Sequence, residues 1–235
     1  MNVVLFGATG MVGAGVLIEC LDDSRVESVL TVGRRPCAVA HPKVRELVRS
    51  DLFDYGDATD DFLNLDACFF CLGASAVGMS EAAYHRVTYD LTVAAAQSLL
   101  GLNPALTFCY VSGEGTDSSE RGRLMWARVK GKTENHLLRM PLKAYMFRPG
   151  FIQPLRGVRS KTRVYQIMYT VLGPFYPLLK RLVPKHVTTT ANVGLAMIEV
   201  AAQGHTKHVL ENPDINSLAT RATPSSPFDP RSLYF

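Results

Sequence analysis

The sequence has no long uninterrupted apolar run and no dense block of one charge. One apolar stretch, VYQIMYTVLGPFYPLL at 164–179, has 16 residues and is interrupted by glycine and proline. A membrane-spanning helix needs about 20 such residues. The 25 basic and 21 acidic residues are spread along the chain, so the net charge of +4 favours solubility over nucleic-acid binding. We therefore expect neither a spanning segment nor a nucleic-acid partner.

Cysteine is scarce and odd in number. The five cysteines are Cys20, Cys37, Cys68, Cys71 and Cys109, and they lie mostly in apolar segments. The chain also begins without a basic region and runs directly into an apolar strand and a glycine motif, which is unlike a targeting peptide. These features predict free thiols in a reducing cytosol, and so a cytoplasmic protein.

No group of side chains has the spacing of a metal site. The six histidines are scattered along the chain. Cys68 and Cys71 form a CxxC pattern, but residues three apart on a strand point to opposite faces, which excludes a redox pair or two metal ligands. The sequence predicts no metal.

Apolar runs of strand length alternate with periodic segments of helix length over the first 150 residues. The runs NVVLF, SVLTV, KVRELV, DACFFCL, ALTFCYV and KAYMF are typical of strands. Helices are predicted over 10–21, 80–100 and 123–139, and the last of them ends before Pro141. This alternation predicts an α/β fold in which helices cover both faces of a doubly wound parallel sheet.

A glycine loop, LFGATGMVGAG, follows the first predicted strand and begins a helix. Glycine here lets the backbone turn tightly and approach a pyrophosphate, and the helix N-terminus supplies N–H groups. The spacing GxxGxxG departs from the dinucleotide pattern GxGxxG, but its position between a strand and a helix favours dinucleotide binding over a turn without a ligand. The expected contact residues are Gly7, Thr9, Gly10, Met11, Val12 and Gly13.

Two arginines follow the second predicted strand, where such folds distinguish NAD from NADP. Folds that prefer NAD usually place an acid here for the ribose 2′-hydroxyl, whereas Gly33 is followed by Arg34 and Arg35. Guanidinium groups suit a 2′-phosphate, so NADP(H) is predicted in preference to a solvated basic loop. The adenosine side of the cofactor is expected to meet Asp51, Leu52, Leu72, Gly73 and Ala74.

The alternation of strands and helices fades beyond residue 150. Residues 1–150 are expected to form an NAD(P)-binding Rossmann core, and 151–220 a mainly helical substrate cap of the same domain. The tail 221–235 is rich in proline and serine and is expected to be loose. The apolar stretch 164–179 is interpreted as the wall of an apolar substrate pocket or as the subunit interface of a homodimer, in preference to a membrane-surface patch.

Six motifs resemble those of the atypical short-chain dehydrogenases/reductases, most closely the Tat-interacting-protein-like, NAD(P)-binding or epimerase-like oxidoreductases. The motifs are GATGMVGAG, VGRRP, CLGAS, YVSGEG, WARVKGKTE and FRPGFI. The resemblance implies that Ser112 hydrogen-bonds the substrate, and that Lys130 binds the nicotinamide ribose and lowers the pKa of the proton donor. It also implies that the turn Pro149, Gly150, Phe151 and Ile152 meets the nicotinamide carboxamide.

Trp126 stands where the family has its catalytic tyrosine. An indole N–H does not exchange its proton near neutral pH, so Trp126 cannot be the general acid. Three explanations stay open: another group supplies the proton, the protein binds NADPH without turnover, or the helix is shifted. Tyr84 and His85 are the titratable alternatives, because they are predicted to lie near the cleft.

Two functions follow from these residues. The first is an NADPH-dependent oxidoreductase acting on a small apolar carbonyl or quinone-like compound, with a catalytic set of Ser112, Lys130, Trp126, Tyr84 and His85. The second is a redox-inactive NADP(H)-binding regulator or sensor, which the missing tyrosine motivates. No motif in the predicted cap identifies the substrate.

Overall fold

A seven-stranded parallel sheet forms the centre of the molecule. The computed structural model describes residues 1–56, 59–158 and 181–222. The strands of the sheet are β1 (Asn2–Phe6), β2 (Ser28–Gly33), β3 (Val44–Val48), β4 (Ala67–Phe70), β5 (Thr107–Val111), β6 (Lys143–Arg148) and β9 (Val209–Glu211). Their order is β3-β2-β1-β4-β5-β6-β9, and all neighbours run parallel. The predicted doubly wound sheet and its six predicted strands are confirmed.

Helices flank the sheet, and a second, two-stranded sheet follows it. The helices are α1 (Met11–Asp22), α2 (Glu81–His85), α3 (Leu91–Leu102), α4 (Met125–Arg139), α5 (Thr190–Gln203) and α6 (Asn212–Arg221). The predicted helix over 80–100 is divided by a π-helical turn, Arg86–Asp90. Strands β7 (Phe151–Gln153) and β8 (Val187–Thr189) pair in parallel. Within the described ranges, no helix is long and apolar enough to cross a membrane.

The central strands are apolar on both faces, which explains the helices on both sides. Val3 and Leu5 point to the face covered by α1 and α5, where they pack in one buried cluster. Val4 and Phe6 alternate with them and belong to the cluster on the opposite face, which includes Leu99 of α3. Strands that bury every side chain are typical of parallel sheets covered on both faces.

The described residues after 186 pack onto this core. Strand β9 extends the sheet by pairing with β6. Helix α5 lies so close to α1 that a Cβ atom at Gly15 would overlap the side chain of Thr190. The mainly helical substrate cap over 151–220 stays a prediction, because residues 159–180 lie outside the described ranges. The apolar stretch 164–179 and most of the predicted tail lie outside the described residues.

Candidate functional site

Two adjoining clefts at the carboxyl ends of β1, β2 and β4 form a crevice. From β1 the successive strands β2 and β3 are added on one side of the sheet. From β4 the successive strands β5 and β6 are added on the other side, so the direction of winding reverses between the neighbours β1 and β4. Ligands of such sheets bind outside the strand ends at this point. A cleft of about 360 Å³ lies here and is lined by Gly7, Thr9, Gly33, Arg34, Arg35, Leu52 and Leu72. An adjoining cleft of about 180 Å³ is lined by Arg34, Ser50, Asp51, Leu52, Phe53, Leu72, Gly73, Ala74, Val87 and Leu91.

The glycine loop is shaped by close approaches that a side chain would prevent. Gly7 has a φ of 85°, and a Cβ atom there would lie 2.9 Å from the backbone of Cys71 and Leu72. A Cβ atom at Gly13 would overlap the carbonyl group of Gly7. Gly10 is the N-cap of α1, whose first turn carries no acidic side chain. The helix N-terminus therefore presents N–H groups to the cleft with a dipole that favours an anion.

The two arginines after β2 line the first of these clefts. Arg34 and Arg35 are exposed and line the same cleft as Gly7 and Thr9. Asp51 lines the adjoining cleft, and one of its carboxylate oxygens accepts a hydrogen bond of 2.8 Å from the amide of Phe53. The crevice thus brings the glycine loop, both guanidinium groups and the predicted adenosine contacts together.

Ser112 and Lys130 meet at the end of β5, but the serine faces inward. Ser112 is 3% exposed, and its hydroxyl donates a hydrogen bond of 3.1 Å to the carbonyl oxygen of Phe147 in β6. The ammonium group of Lys130 donates to the carbonyl oxygen of Ser112. In this geometry Ser112 ties β5 to β6 and fixes the acceptor of Lys130, and its hydroxyl would have to leave Phe147 to bind a substrate.

Replacing Lys130 with methionine is expected to change how stability depends on pH. Burial lowers the pKa of Lys130 to about 8, whereas an unfolded chain keeps the ordinary value of 10.5. Between these values the unfolded state holds more protons, so Lys130 makes wild-type stability rise with pH. The stability of wild type relative to Lys130→Met should increase by about 2 to 3 kcal/mol from about pH 7 to about pH 10. Denaturant unfolding at several pH values measures this difference.

The matched control for this prediction is a lysine on the other side of the same helix. Lys132 is exposed, and residues two apart on a helix point about 200° away from each other. Lys132→Met should keep the wild-type pH profile of stability. A flat difference between wild type and Lys130→Met would show that the Lys130 ammonium is well solvated.

Trp126 lies in the first turn of α4, one turn before Lys130. Helix α4 begins at Met125, so the two side chains share one face. The tip of the indole ring, atom Cη2, is 3.4 Å from the position that a Cβ atom on Gly115 would take. The tryptophan therefore packs against the loop that follows β5, at the place where the resemblance expects a tyrosine.

Tyr84 and His85 lie in different surroundings. Tyr84 is buried, with 2% of its surface exposed. His85 Nε2 is 3.1 Å from the ammonium nitrogen of Lys132, and its Nδ1 is 3.2 Å from a carboxylate oxygen of Asp90. Because Lys132 and Lys130 project from opposite sides of α4, His85 contacts the side of α4 that lies opposite Lys130. The role of Tyr84 or His85 as proton donor stays a prediction.

A pair that the sequence prediction missed lies beside the Pro149–Gly150 turn. His186 Nδ1 contacts Glu114 Oε1 across 72 positions of the chain. The amide of Glu114 donates a hydrogen bond of 2.9 Å to the carbonyl oxygen of Pro149. Glu114 belongs to the motif YVSGEG, so the sequence could have indicated that it lies near the end of the fifth strand. No local pattern singles out His186.

Comparisons of the sequence find distant fungal relatives, and no protein-family model matches the chain. Leucinostatins biosynthesis cluster protein T from Purpureocillium lilacinum is 29% identical over 143 residues, which are 60% of this chain. The alignment spans only about half (52%) of the length of that protein. Protein FMP52, mitochondrial, from Debaryomyces hansenii is 27% identical over 170 residues, or 69% of this chain and 70% of the relative.

These relatives contradict the predicted cytoplasmic location. Proteins named FMP52, mitochondrial, from several fungi align at 23% to 28% identity. The prediction relied on free thiols, and Cys20, Cys68 and Cys109 are fully buried in the core. Buried thiols serve packing and do not distinguish one reducing compartment from another, so the cytosolic prediction is wrong.

Solved structures share the fold at low sequence identity. An oxidoreductase of the short-chain dehydrogenase/reductase family from Burkholderia thailandensis superposes with a TM-score of 0.62 at 16% identity, covering 88% of each chain. The Bordetella bronchiseptica enzyme WbmF, in complex with NAD⁺, superposes with a TM-score of 0.59 at 16% identity, covering 97% of this chain and 80% of WbmF. The fold implied by the sequence resemblance is thereby confirmed: the chain has the doubly wound fold of the short-chain dehydrogenases/reductases.

Proposed function

We propose that the protein is an NADP(H)-dependent oxidoreductase acting on a small apolar carbonyl or quinone-like compound. The observation that carries this proposal is the shared cleft of the glycine loop and of Arg34 and Arg35. A glycine-rich loop at a helix N-terminus suits a pyrophosphate, and two exposed guanidinium groups suit a 2′-phosphate. The complex of WbmF with NAD⁺ supports a nicotinamide dinucleotide in this fold.

In this proposal, residues of the crevice, of α4 and of the turn after β6 would hold the cofactor. Gly7 and Gly13 would hold the pyrophosphate, because a side chain at either position would collide with the backbone. The cleft beside Asp51 would take the adenosine. Lys130 would bind the nicotinamide ribose, and the turn that contains Gly150 would meet the carboxamide. When bound, NADPH supplies the hydride that reduces the carbonyl carbon.

The protein's own contribution is to orient the reactants and to supply a proton. Ser112 acts here as a positioning residue, because its hydroxyl holds β6 and its carbonyl oxygen holds the ammonium of Lys130. Trp126 supplies an apolar surface beside this lysine and no exchangeable proton near neutral pH. The proton must therefore come from another group or from water.

A redox-inactive NADP(H)-binding regulator is the second candidate. Two observations favour it: Trp126 occupies the position of the family's tyrosine, and the Ser112 hydroxyl is bonded to Phe147 and not directed into the crevice. This candidate needs the same cofactor site as the first, so the two differ only in whether bound NADPH is oxidised.

The experiment that tests both candidates uses Trp126, the only tryptophan in the chain. Purified protein is titrated with NADPH and with NADH while the tryptophan emission is followed and corrected for absorbance by the cofactor, and calorimetry checks the binding. NADPH oxidation is then measured over a panel of apolar aldehydes, ketones and quinones. Tight NADPH binding with oxidation supports the reductase, whereas binding without oxidation supports the regulator. Absence of binding in both assays would reject both candidates.

A further inference from the structure

Glu114 and His186 form an ion pair whose two side chains stay open to solvent. The side chains are 41% and 59% exposed, although His186 Nδ1 contacts Glu114 Oε1 directly. Exposed pairs of this kind contribute little to stability, about 0 to 1 kcal/mol. The pair therefore has no large structural role, and both side chains are open to solvent.

The backbone holds the pair in place although its ends are exposed. The amide of Glu114 donates to Pro149, and the amide of His186 donates a hydrogen bond of 3.0 Å to Val183. His186 ends a 3₁₀ turn, Pro184–His186, directly before β8. At Gly150 a Cβ atom would overlap the carbonyl oxygen of His186 and would lie 2.6 Å from Glu114 Oε2. Glycine at this turn is thus what allows the pair to close over it.

The loop of Glu114 also contacts Lys130 and Trp126 on α4. Ser112, two residues before Glu114, accepts the hydrogen bond of Lys130. Gly115, the next residue, lies against the ring of Trp126. A loop of four residues therefore connects the Lys130 ammonium, the Trp126 indole and His186.

We propose that His186, held at Nδ1 by Glu114, is the proton donor that takes the place of the tyrosine. This inference rests on the proposed reductase function. As the carbonyl carbon accepts hydride from bound NADPH, a C–H bond forms and the π electron pair of the C=O bond moves to the oxygen. The Nε2–H proton of the His186 imidazolium passes to that oxygen and yields the hydroxyl group. The neutral imidazole then recovers a proton from solvent, and NADP⁺ is the oxidised product.

The carboxylate of Glu114 orients the histidine ring in this step. It contacts Nδ1, which leaves Nε2 as the ring nitrogen that can donate a proton to the substrate oxygen. A histidine is suited to the task because it exchanges protons near neutral pH, which the indole of Trp126 does not do.

The first test does not depend on turnover. Protein with isotope-labelled histidine rings is titrated with NADPH, and the ring signals are assigned with His186→Gln. NADPH is expected to shift the signals of His186. The signals of His208 should stay unchanged; its Nδ1 is 2.8 Å from the carbonyl oxygen of Ala144. His208 precedes β9 at the amino end of the strand, on the far side of the sheet. Unshifted His186 signals in protein that binds NADPH would overturn the inference.

The second test measures the chemical step with menadione and benzaldehyde as probes. His186→Gln is expected to lower the single-turnover rate of NADPH oxidation by about 100-fold, and Glu114→Gln by about 10-fold. NADPH affinity should stay within about 2-fold, because neither side chain lies in the phosphate or adenosine clefts. Lys185→Gln changes the exposed neighbour of His186 and should keep the wild-type rate.

The outcomes separate this inference from the function on which it rests. A His186→Gln rate within about 3-fold of wild type would reject His186 as the donor while the reductase function stands. Wild-type protein that binds NADPH and oxidises none of it with either probe would reject the reductase function, and the proton-donor role would fall with it.

Discussion

Glu134→Gln is expected to lower the free energy of unfolding by about 3 kcal/mol, because it breaks a buried ion pair. The side chain of Glu134 is 1% exposed, and it receives two hydrogen bonds from the guanidinium group of Arg148. The bond from Arg148 Nε to Glu134 Oε1 is 3.0 Å long. Glutamine keeps one acceptor oxygen but turns an amide group toward the cation, which leaves the buried charge only partly compensated.

The Glu134 pair also anchors the helix that carries the candidate site. Arg148 ends β6, and besides Glu134 on α4 it donates 2.6 Å and 3.2 Å hydrogen bonds to Ser118 and Glu211. These partners lie after β5 and at the end of β9. Hydrogen bonding to Glu134 raises the pKa of Arg148, so its charge is permanent at physiological pH. Loss of the pair should therefore loosen α4, with Trp126 and Lys130, from strand β6.

Thermal unfolding provides the measurement and an exposed pair provides the control. A loss of about 3 kcal/mol should lower the melting temperature by roughly 10 °C in a chain of this size. Glu81 on α2 forms an ion pair of 2.7 Å with Arg128, which lies on α4 like Glu134. The side chain of Glu81 is 54% exposed. Glu81→Gln should cost less than about 1 kcal/mol. Equal shifts for the two variants would mean that burial of the Glu134 pair adds nothing to its strength.

Those parts of the fold that depend on local patterns could be predicted from the sequence. Each of the strands β1 to β6 is a mainly apolar run bounded by turn residues. The six strands pair in parallel, as the alternation of strands and helices predicts. The glycines of the first loop were predictable because they follow a strand and precede a helix. The structure shows why these positions must be glycine: Gly7 lies against the end of β4, and Gly13 lies against Gly7.

Features set by contacts between distant segments could not be predicted. Strand β9 is three residues long and becomes a strand only by pairing with β6. The sequence of α4 does not explain why position 131 is glycine. The structure does, because a Cβ atom there would overlap the carbonyl oxygen of Asp117. The inward direction of the Ser112 hydroxyl likewise depends on Phe147 in the neighbouring strand.

The candidate site shows the same division between local and distant contacts. Arg34 and Arg35 follow directly from a strand, so their place in the cleft was predictable. Tyr84 and His85 were chosen because they titrate near the predicted crevice, but helix packing places one in the core and the other on the far side of α4. His186 has no local signal, because its partner Glu114 is 72 positions away.

Replacing both Arg34 and Arg35 with glutamine is expected to weaken NADPH binding by about 100- to 1000-fold. Each hydrogen bond between a guanidinium group and a phosphate contributes about 1.5 to 3 kcal/mol, and about 1.4 kcal/mol changes affinity tenfold. Both side chains are exposed, so the lower part of that range applies to each. NADH lacks the 2′-phosphate, and its affinity should change by no more than about 3-fold.

Calorimetric titration with NADPH and NADH at one fixed salt concentration measures this change in preference, since phosphate contacts weaken as salt rises. The matched control is the double variant Arg45→Gln and Arg139→Gln, which removes the same charge from exposed positions outside both clefts. This control should keep the wild-type ratio of NADPH to NADH affinity. If that ratio also persists in the Arg34 and Arg35 variant, the two arginines form a solvated basic loop, and whatever preference exists must arise elsewhere in the crevice.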